Sequence, residues 1–226
     1  MLQAVSSSWL TRAFSSSIGK KLVMAVTGLG LCGFLAVHLA GNLLLYVGAE
    51  KYDHYAHTLH AQAALLVVAE IGLLILFVGH IWLAFTTTRE NNNARPVGYS
   101  VKQSKQPPSS LMAPASSVMF ATGIVILLFL LLHLSDFRFS LRKHDGDTPF
   151  TKAVSILHDP LSASVYLVGS LVLGYHVLHG FQSAFQTLGL NHPKYTPFIK
   201  FLSLLFAITI AVGFGSFPLW AWAFQK

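Results

Sequence analysis

The sequence predicts an all-α membrane protein, a single bundle of five transmembrane helices. Three observations carry this. Of the 226 residues, 54% are hydrophobic and only 10% charged, whereas a typical soluble domain carries about 25% charged residues. Five stretches are long enough to cross a membrane, which takes about 20 apolar residues. The 15 Lys and Arg residues, behind a formal charge of +7, lie between those stretches and form no single patch. That argues against nucleic acid as a partner. The shortage of charge also excludes a disordered chain and disfavours a soluble enzyme domain. The lone cysteine, Cys32, excludes an internal disulfide, a Cys-rich zinc or iron–sulfur site, and covalent haem attachment through C-x-x-C-H.

The first span covers about 22–47 and contains no Asp, Glu, Lys or Arg. The Ser-rich segment before it, with Arg12, Lys20 and Lys21, reads as a cytoplasmic N-terminal segment. The uncharged stretch is too long for a signal peptide's apolar core, and no small-residue cleavage site is evident. A transit peptide is the alternative. The second span, about 61–88, contains one charge, Glu70. Asn91-Asn92-Asn93 to Ser109, with Pro96, Pro107 and Pro108, reads as a loop. The third span is about 111–135, and His144 to Pro149 reads as another loop. Asp159-Pro160 and Thr196-Pro197 each set a capping residue before a proline at the first helical position, where no N–H is needed. They open the fourth span, about 161–190, and the fifth, about 197–224. No repeat of solenoid type and no second domain is evident, so 1–226 reads as one integral membrane domain.

Lys and Arg set the orientation. With the N-terminus inside, the inner side carries Arg12, Lys20, Lys21, Arg89, Arg95, Lys102, Lys105, Lys194 and Lys200. The outer side carries Lys51, Arg138, Arg142, Lys143, Lys152 and Lys226. The bias favours the N-terminus inside and the C-terminus outside, against the cluster around Arg138 at the end of the third span.

Of the 11 histidines, five lie within spans: His38, His80, His133, His176 and His179. An ionisable group in lipid is costly and faces the bundle interior with a partner. One such histidine is explained by a bond to a neighbouring helix. Four helices each offering a deep one point to ligation, because neutral imidazole binds haem iron axially. At 1.5 Å per residue, His38 stands ~24 Å and His80 ~12 Å from the inner ends of their predicted helices. Two layers result: His38 with His133 outside, and His80 with His176 or His179 inside. Two stacked bis-histidine haem b groups, enclosed by the bundle, require this layering and would carry electrons across the membrane. Glycines such as Gly28, Gly72 and Gly169 let a flat macrocycle approach the backbone, and suit ordinary helix packing equally well. Asn42 lies four residues after His38, on the same face.

The stretches "MAVTGLGLCGFLAVHLAGNLLLY", "FVGHIW", "LLFLLLHLSDFRF" and "GYHVLHGFQSAFQTLG" resemble the cytochrome b subunit of succinate dehydrogenase and fumarate reductase, the cytochrome b558 family of five-helix dihaem anchors. The resemblance covers most of the chain, and the fourth stretch is its most specific part. It implies His38 and His133 as ligands of the outer, distal haem, and His80 and His176 as ligands of the inner, proximal haem. Depth alone fits His179 slightly better than His176, so His179 stands as the alternative ligand or as a haem-propionate partner. The family further implies an electron-transfer subunit of respiratory complex II in the bacterial inner membrane. Its partners would be a flavoprotein with covalent FAD and the dicarboxylate site, an iron–sulfur subunit, and a quinone, for two-haem members typically menaquinone. The chain itself has no dinucleotide fingerprint and no cysteine cluster.

Other groups are candidates for lesser roles. Lys20, Asn42, Arg89 and Arg138 are placed to meet haem propionates or line the pocket. Glu70 reads as a carboxylate deep in a span, and so as a proton-transfer or quinone-site group. Tyr52, His54 and His57, at the outer surface, and His158, before the fourth span, are further quinone candidates. Tyr also belongs in the headgroup zone for purely interfacial reasons. Competing readings are the dihaem anchor of a nitrate reductase or formate dehydrogenase, a proton-coupled transporter using the same histidines with Glu70, and a bare anchor without haem.

Overall fold

The computed structural model describes residues 8–94, 97, 115–142 and 146–225, and these are helical apart from short connections. In chain order the helices are α1 (Trp9–Ser15), α2 (Ser17–Asn42), α3 (Ala49–Ala61), α4 (Ala63–Asn93), α5 (Ala115–Phe137), α6 (Pro149–His158), α7 (Pro160–Thr187) and α8 (Thr196–Phe224). A 3-10 turn, Leu43–Tyr46, extends α2. Five of them, α2 with its turn, α4, the stretch Val118–Phe137 of α5, α7 and α8, are long and apolar enough to cross a membrane. The chain is thus a multi-pass membrane protein. Leu65, Val68, Leu74, Ile75 and Trp82 of α4 are all more than 60% exposed, as side chains facing lipid are.

The spans occur where the apolar runs put them, but their ends differ. The Ser16 side chain accepts from the Gly19 N–H at 3.0 Å, so α2 starts at Ser17, not near 22. The triplet Asn91–Asn93 belongs to the last turn of α4 and not to a loop. The next proline is Pro96, and Lys20 of α2 pairs with Glu90 in that last turn. Most of the loop predicted up to Ser109, and residues 111–114 of the third span, lie outside the described residues. Asp159 caps α7, its Oδ2 accepting from the Ser162 N–H at 2.8 Å. The helix then ends before Gly189, whose φ of +90° breaks it. Pro149, read as the end of a loop, is the first residue of α6. There Thr148 and Thr151 form a reciprocal capping box, which satisfies two otherwise orphaned N–H groups.

We call the end of the bundle holding Ser17, Asn93, Thr187 and Thr196 the near end, and the other the far end. Consecutive spans run antiparallel. The closest pair is α7 with α8, where a Cβ on Gly174 would stand 2.6 Å from that of Ala211. Only glycine permits this approach. Ser203 ties the same pair by donating to the Leu178 carbonyl. In addition, α2 packs on α4 and α7, and α5 on α7. By contrast α4 and α5 scarcely meet. They touch through Phe85 and Phe120, with ring centroids 5.1 Å apart, and through the ion pair Glu70–Arg138 at the far end. The buried core lies toward the far end. Ala153, Ile156 and Leu157 of α6 cover Leu39, Leu45, Tyr166, Ile210 and Phe217. Asp53 of α3 locks this cover by accepting the Phe150 N–H of α6 at 2.7 Å.

Candidate functional site

The structure brings the span histidines together in pairs from different helices. Far from Ser17 on α2, His38 meets His133 of α5 with ring centroids 5.8 Å apart and the rings near perpendicular, at 85°. Phe34, Phe129, Phe137, Tyr166 and Phe214 surround the pair at centroid distances of 5.1–6.1 Å. Asn42 shares the face of His38, as the four-residue spacing predicts. Its Nδ2 donates to the His38 carbonyl at 2.8 Å and its Oδ1 accepts from the Tyr52 hydroxyl at 3.4 Å. Among the described residues His133 makes ring contacts but no hydrogen bond. A bare imidazole in an apolar span is costly, and a metal ion is one group that would occupy its lone pair.

Nearer the middle, His80 of α4 bonds Thr27 of α2 through Nδ1 at 3.3 Å. His176 of α7 bonds Thr122 of α5 through Nδ1 at 3.0 Å. His179 is placed differently: its Nε2 is engaged by Ser183, one turn along the same helix, at 3.0 Å. The observed helix ends also correct the depth argument. At the helical rise per residue, His80 stands about 20 Å from Asn93 at the end of α4. His176 stands about 17 Å, and His179 about 12 Å, from Thr187 at the end of α7. Height therefore matches His80 to His176 better than to His179, the reverse of the expectation from predicted ends.

The glycines divide. Gly169 and Gly174 are filled by Phe129 and by Ala211, which is plain helix packing. Gly28 lies against the His80 ring and Gly123 against that of His176, while nothing stands within 4 Å of a Cβ at Gly72 or Gly79. Among the described residues no three His, Cys, Asp or Glu side chains gather to hold a bare metal ion. Two imidazoles per metal suit a macrocycle that brings its own four nitrogens. This donor set fits haem.

No family model, curated protein or solved structure matches the chain. The site's own geometry is what bears on its chemistry.

The remaining candidates separate. Glu70 is not deep: it stands about 10 Å from the start of α4 at Ala63. Its side chain is 38% exposed and accepts from Arg138 at 2.9 Å and 3.1 Å. Arg138 is thereby committed to Glu70 at the far end. A half-exposed ion pair contributes little, about 0–1 kcal/mol. Glu70→Gln should therefore lower stability by no more than ~1 kcal/mol in thermal unfolding, and a larger loss would show that the clasp holds α4 to α5. Lys20 pairs with Glu90 at the near end, where Arg89 is exposed.

Tyr52 points inward to Asn42. Burial, with Tyr55 and Asp53 beside it, pushes its pKa up to about 12. It is a lasting hydrogen-bond donor near neutral pH and a poor proton relay. His54 and His57 are exposed on α3. His158 alone of these lines a groove, an open one of about 490 Å³ shared with Phe150, Ser155, Asp159 and Gln225 at the far end.

Sequence reasoning missed the most buried carboxylate. Asp136, fully buried, accepts from Arg142 Nε at 2.5 Å and Nη2 at 2.7 Å, and from the Tyr166 hydroxyl at 2.8 Å. Arg142 Nη2 also reaches Ser162 Oγ at 3.0 Å. The signal was present in "LSDFRFSLR": an acidic residue one position past the predicted end of a span, with an arginine six residues on. The network ties the end of α5 to the start of α7, and Tyr166 packs against His133 at 6.0 Å.

Proposed function

We propose that the chain is the dihaem cytochrome b anchor of a succinate:quinone oxidoreductase, passing electrons between an iron–sulfur subunit and a membrane quinone, by the family resemblance menaquinone. The observation that carries this reading is the pairing of four span histidines from four helices at two heights. Bound haem would supply one-electron transfer between its ferric and ferrous states.

The chain's own residues do the rest. His38 and His133, from α2 and α5, would hold the outer group, and His80 and His176, from α4 and α7, would hold the inner one. Aromatic rings keep water from the outer pair, and low polarity there disfavours added charge. In this reading the near end faces the cytoplasm of a bacterium, as the Lys and Arg bias supports, and meets the iron–sulfur and flavoprotein subunits. The far-end groove beside His158 offers a quinone head-group a polar rim and an aromatic wall. Tyr52, Asn42 and Arg138 are then structural neighbours of the outer site, and Lys20 and Arg89, on the inner side, would be available to acidic haem substituents.

A second reading uses the same bonds. His80–Thr27 and His176–Thr122 also act as interhelical glue, which would suit a bare anchor. It gives no role to the His38–His133 pair, whose rings meet without a bond between them.

The experiment is a reduced-minus-oxidised spectrum of the purified complex with haem quantified per chain. Two b-type haems are expected. His38→Ala and His133→Ala should remove the same one, the outer. Loss of different haems in the two variants would reject the pairing, and a haem-free, folded complex would reject the function.

A further inference from the structure

The inner histidines are tied to the bundle in one way, and the tie decides which ring nitrogen is free. A threonine hydroxyl has one proton to donate. That of Thr27 goes to its own helix, with the Val23 carbonyl at 2.9 Å and the Met24 carbonyl at 3.0 Å. Such back-bonding is usual for threonine inside a helix. With its proton committed, the hydroxyl meets His80 Nδ1 as an acceptor. Thr122 repeats the arrangement, with Val118 at 3.1 Å, Met119 at 3.0 Å and His176 Nδ1 at 3.0 Å. In both cases the threonine stands on a different helix from its histidine. Both imidazoles therefore carry their proton on Nδ1 and their lone pair on Nε2.

We infer that Thr27 and Thr122 are positioning residues for the inner haem, holding both of its ligands in the tautomer that presents Nε2 to iron. The inference rests on the function proposed above. A hydroxyl that accepts the Nδ1 proton also makes the opposite nitrogen more basic, which favours ferric iron. The outer pair lacks the device. His38 Nδ1 lies 3.4 Å from Nδ2 of Asn42, a donor, and His133 has no hydrogen bond among the described residues. The two inner ties also differ in strength. Thr122 stands 3.0 Å from its histidine nitrogen and Thr27 3.3 Å from its own. Thr122 is the stronger handle.

The test is a redox titration of the purified complex, followed haem by haem, in T122V, T122S and T27V. Valine keeps the shape of threonine and cannot accept a hydrogen bond. In T122V the midpoint potential of the inner haem should rise while that of the outer haem stays, and the EPR signal of the oxidised inner haem should move with it. T122S, which keeps the hydroxyl, should restore both. T27V should shift the inner haem in the same direction by less. An unmoved inner potential and EPR signal in T122V overturns the inference, and so does an equal shift of both haems. If T122V fails to hold the inner haem, T27V decides on the same criteria. A wild-type complex without haem sinks the proposed function and this inference together, whereas a haem-replete wild type with an unmoved T122V sinks the inference alone.

Discussion

If the chain holds two haems as proposed, replacing His176 with alanine should cut the haem content to one, and replacing His179 should leave both. The two residues sit three apart on α7 and face similar directions, so composition and spacing alone do not separate them. Their bonds do. His176 has Nδ1 on Thr122 of another helix and thereby turns Nε2 away from that contact. His179 spends Nε2 on Ser183 of its own helix. In the proposed role, His176 would hold the metal, and its loss would remove that bond outright. His179 stands about one helical turn nearer the near end and is not placed to replace it. Losing His179 removes only a local hydrogen bond to an exchangeable hydroxyl, about 0.5–1.5 kcal/mol. Pyridine haemochrome quantification of the two purified variants checks this. Full haem in the His176 variant with one haem lost from the His179 variant would reverse the assignment.

Replacing Asp136 with leucine should be among the most destabilising single changes in the chain. Asp136 is wholly buried and takes both arms of the Arg142 guanidinium as well as the Tyr166 hydroxyl. Such a forked pair is strong and geometrically demanding. Removing one partner of a buried pair costs about 3–5 kcal/mol, because the other charge is left without compensation. The lower part of that range applies, since the Arg142 side chain is 33% exposed and can turn to water. Tyr166→Phe removes one bond to a charged acceptor and should cost about 1.5 kcal/mol. Thermal unfolding of the detergent-solubilised complex measures both. An Asp136→Leu variant as stable as the parent would show that apolar packing at the junction of α5 and α7 suffices. Because Tyr166 lies against His133, the outer histidine pair should loosen before the inner one.

The five spans were legible because a long apolar run has one stable solution in a bilayer, the self-satisfied helix. The start of α7 was legible for a local reason, a capping Asp159 followed by proline. What escaped was set by groups distant in sequence. Helix α3 carries Glu50, Lys51, Asp53, three histidines and two tyrosines within one short stretch, so no apolar periodicity announces it. Its place is fixed by Asp53 on the first turn of α6, 97 positions away. The depth of Glu70 was misread because the helix starts at Ala63 and Arg138 comes to meet it. The same holds at the candidate site: the histidines were visible, whereas Thr27 and Thr122 look like ordinary span residues until the helices are placed side by side.

Asp159 closes α6 and opens α7 at once, so there is no spare residue between the two helices. Each residue added to a helix turns the chain beyond it by about 100°. The bundle grips α7 along its length, so an inserted residue at this joint would be absorbed by α6. Its sealing stripe, Ala153, Ile156 and Leu157, would swing a quarter-turn away from α7 and α8, on which α6 packs. The joint between α6 and α7 is therefore a fixed phase setting: its length is an angle, and the chain has no neighbouring value that still closes the far end.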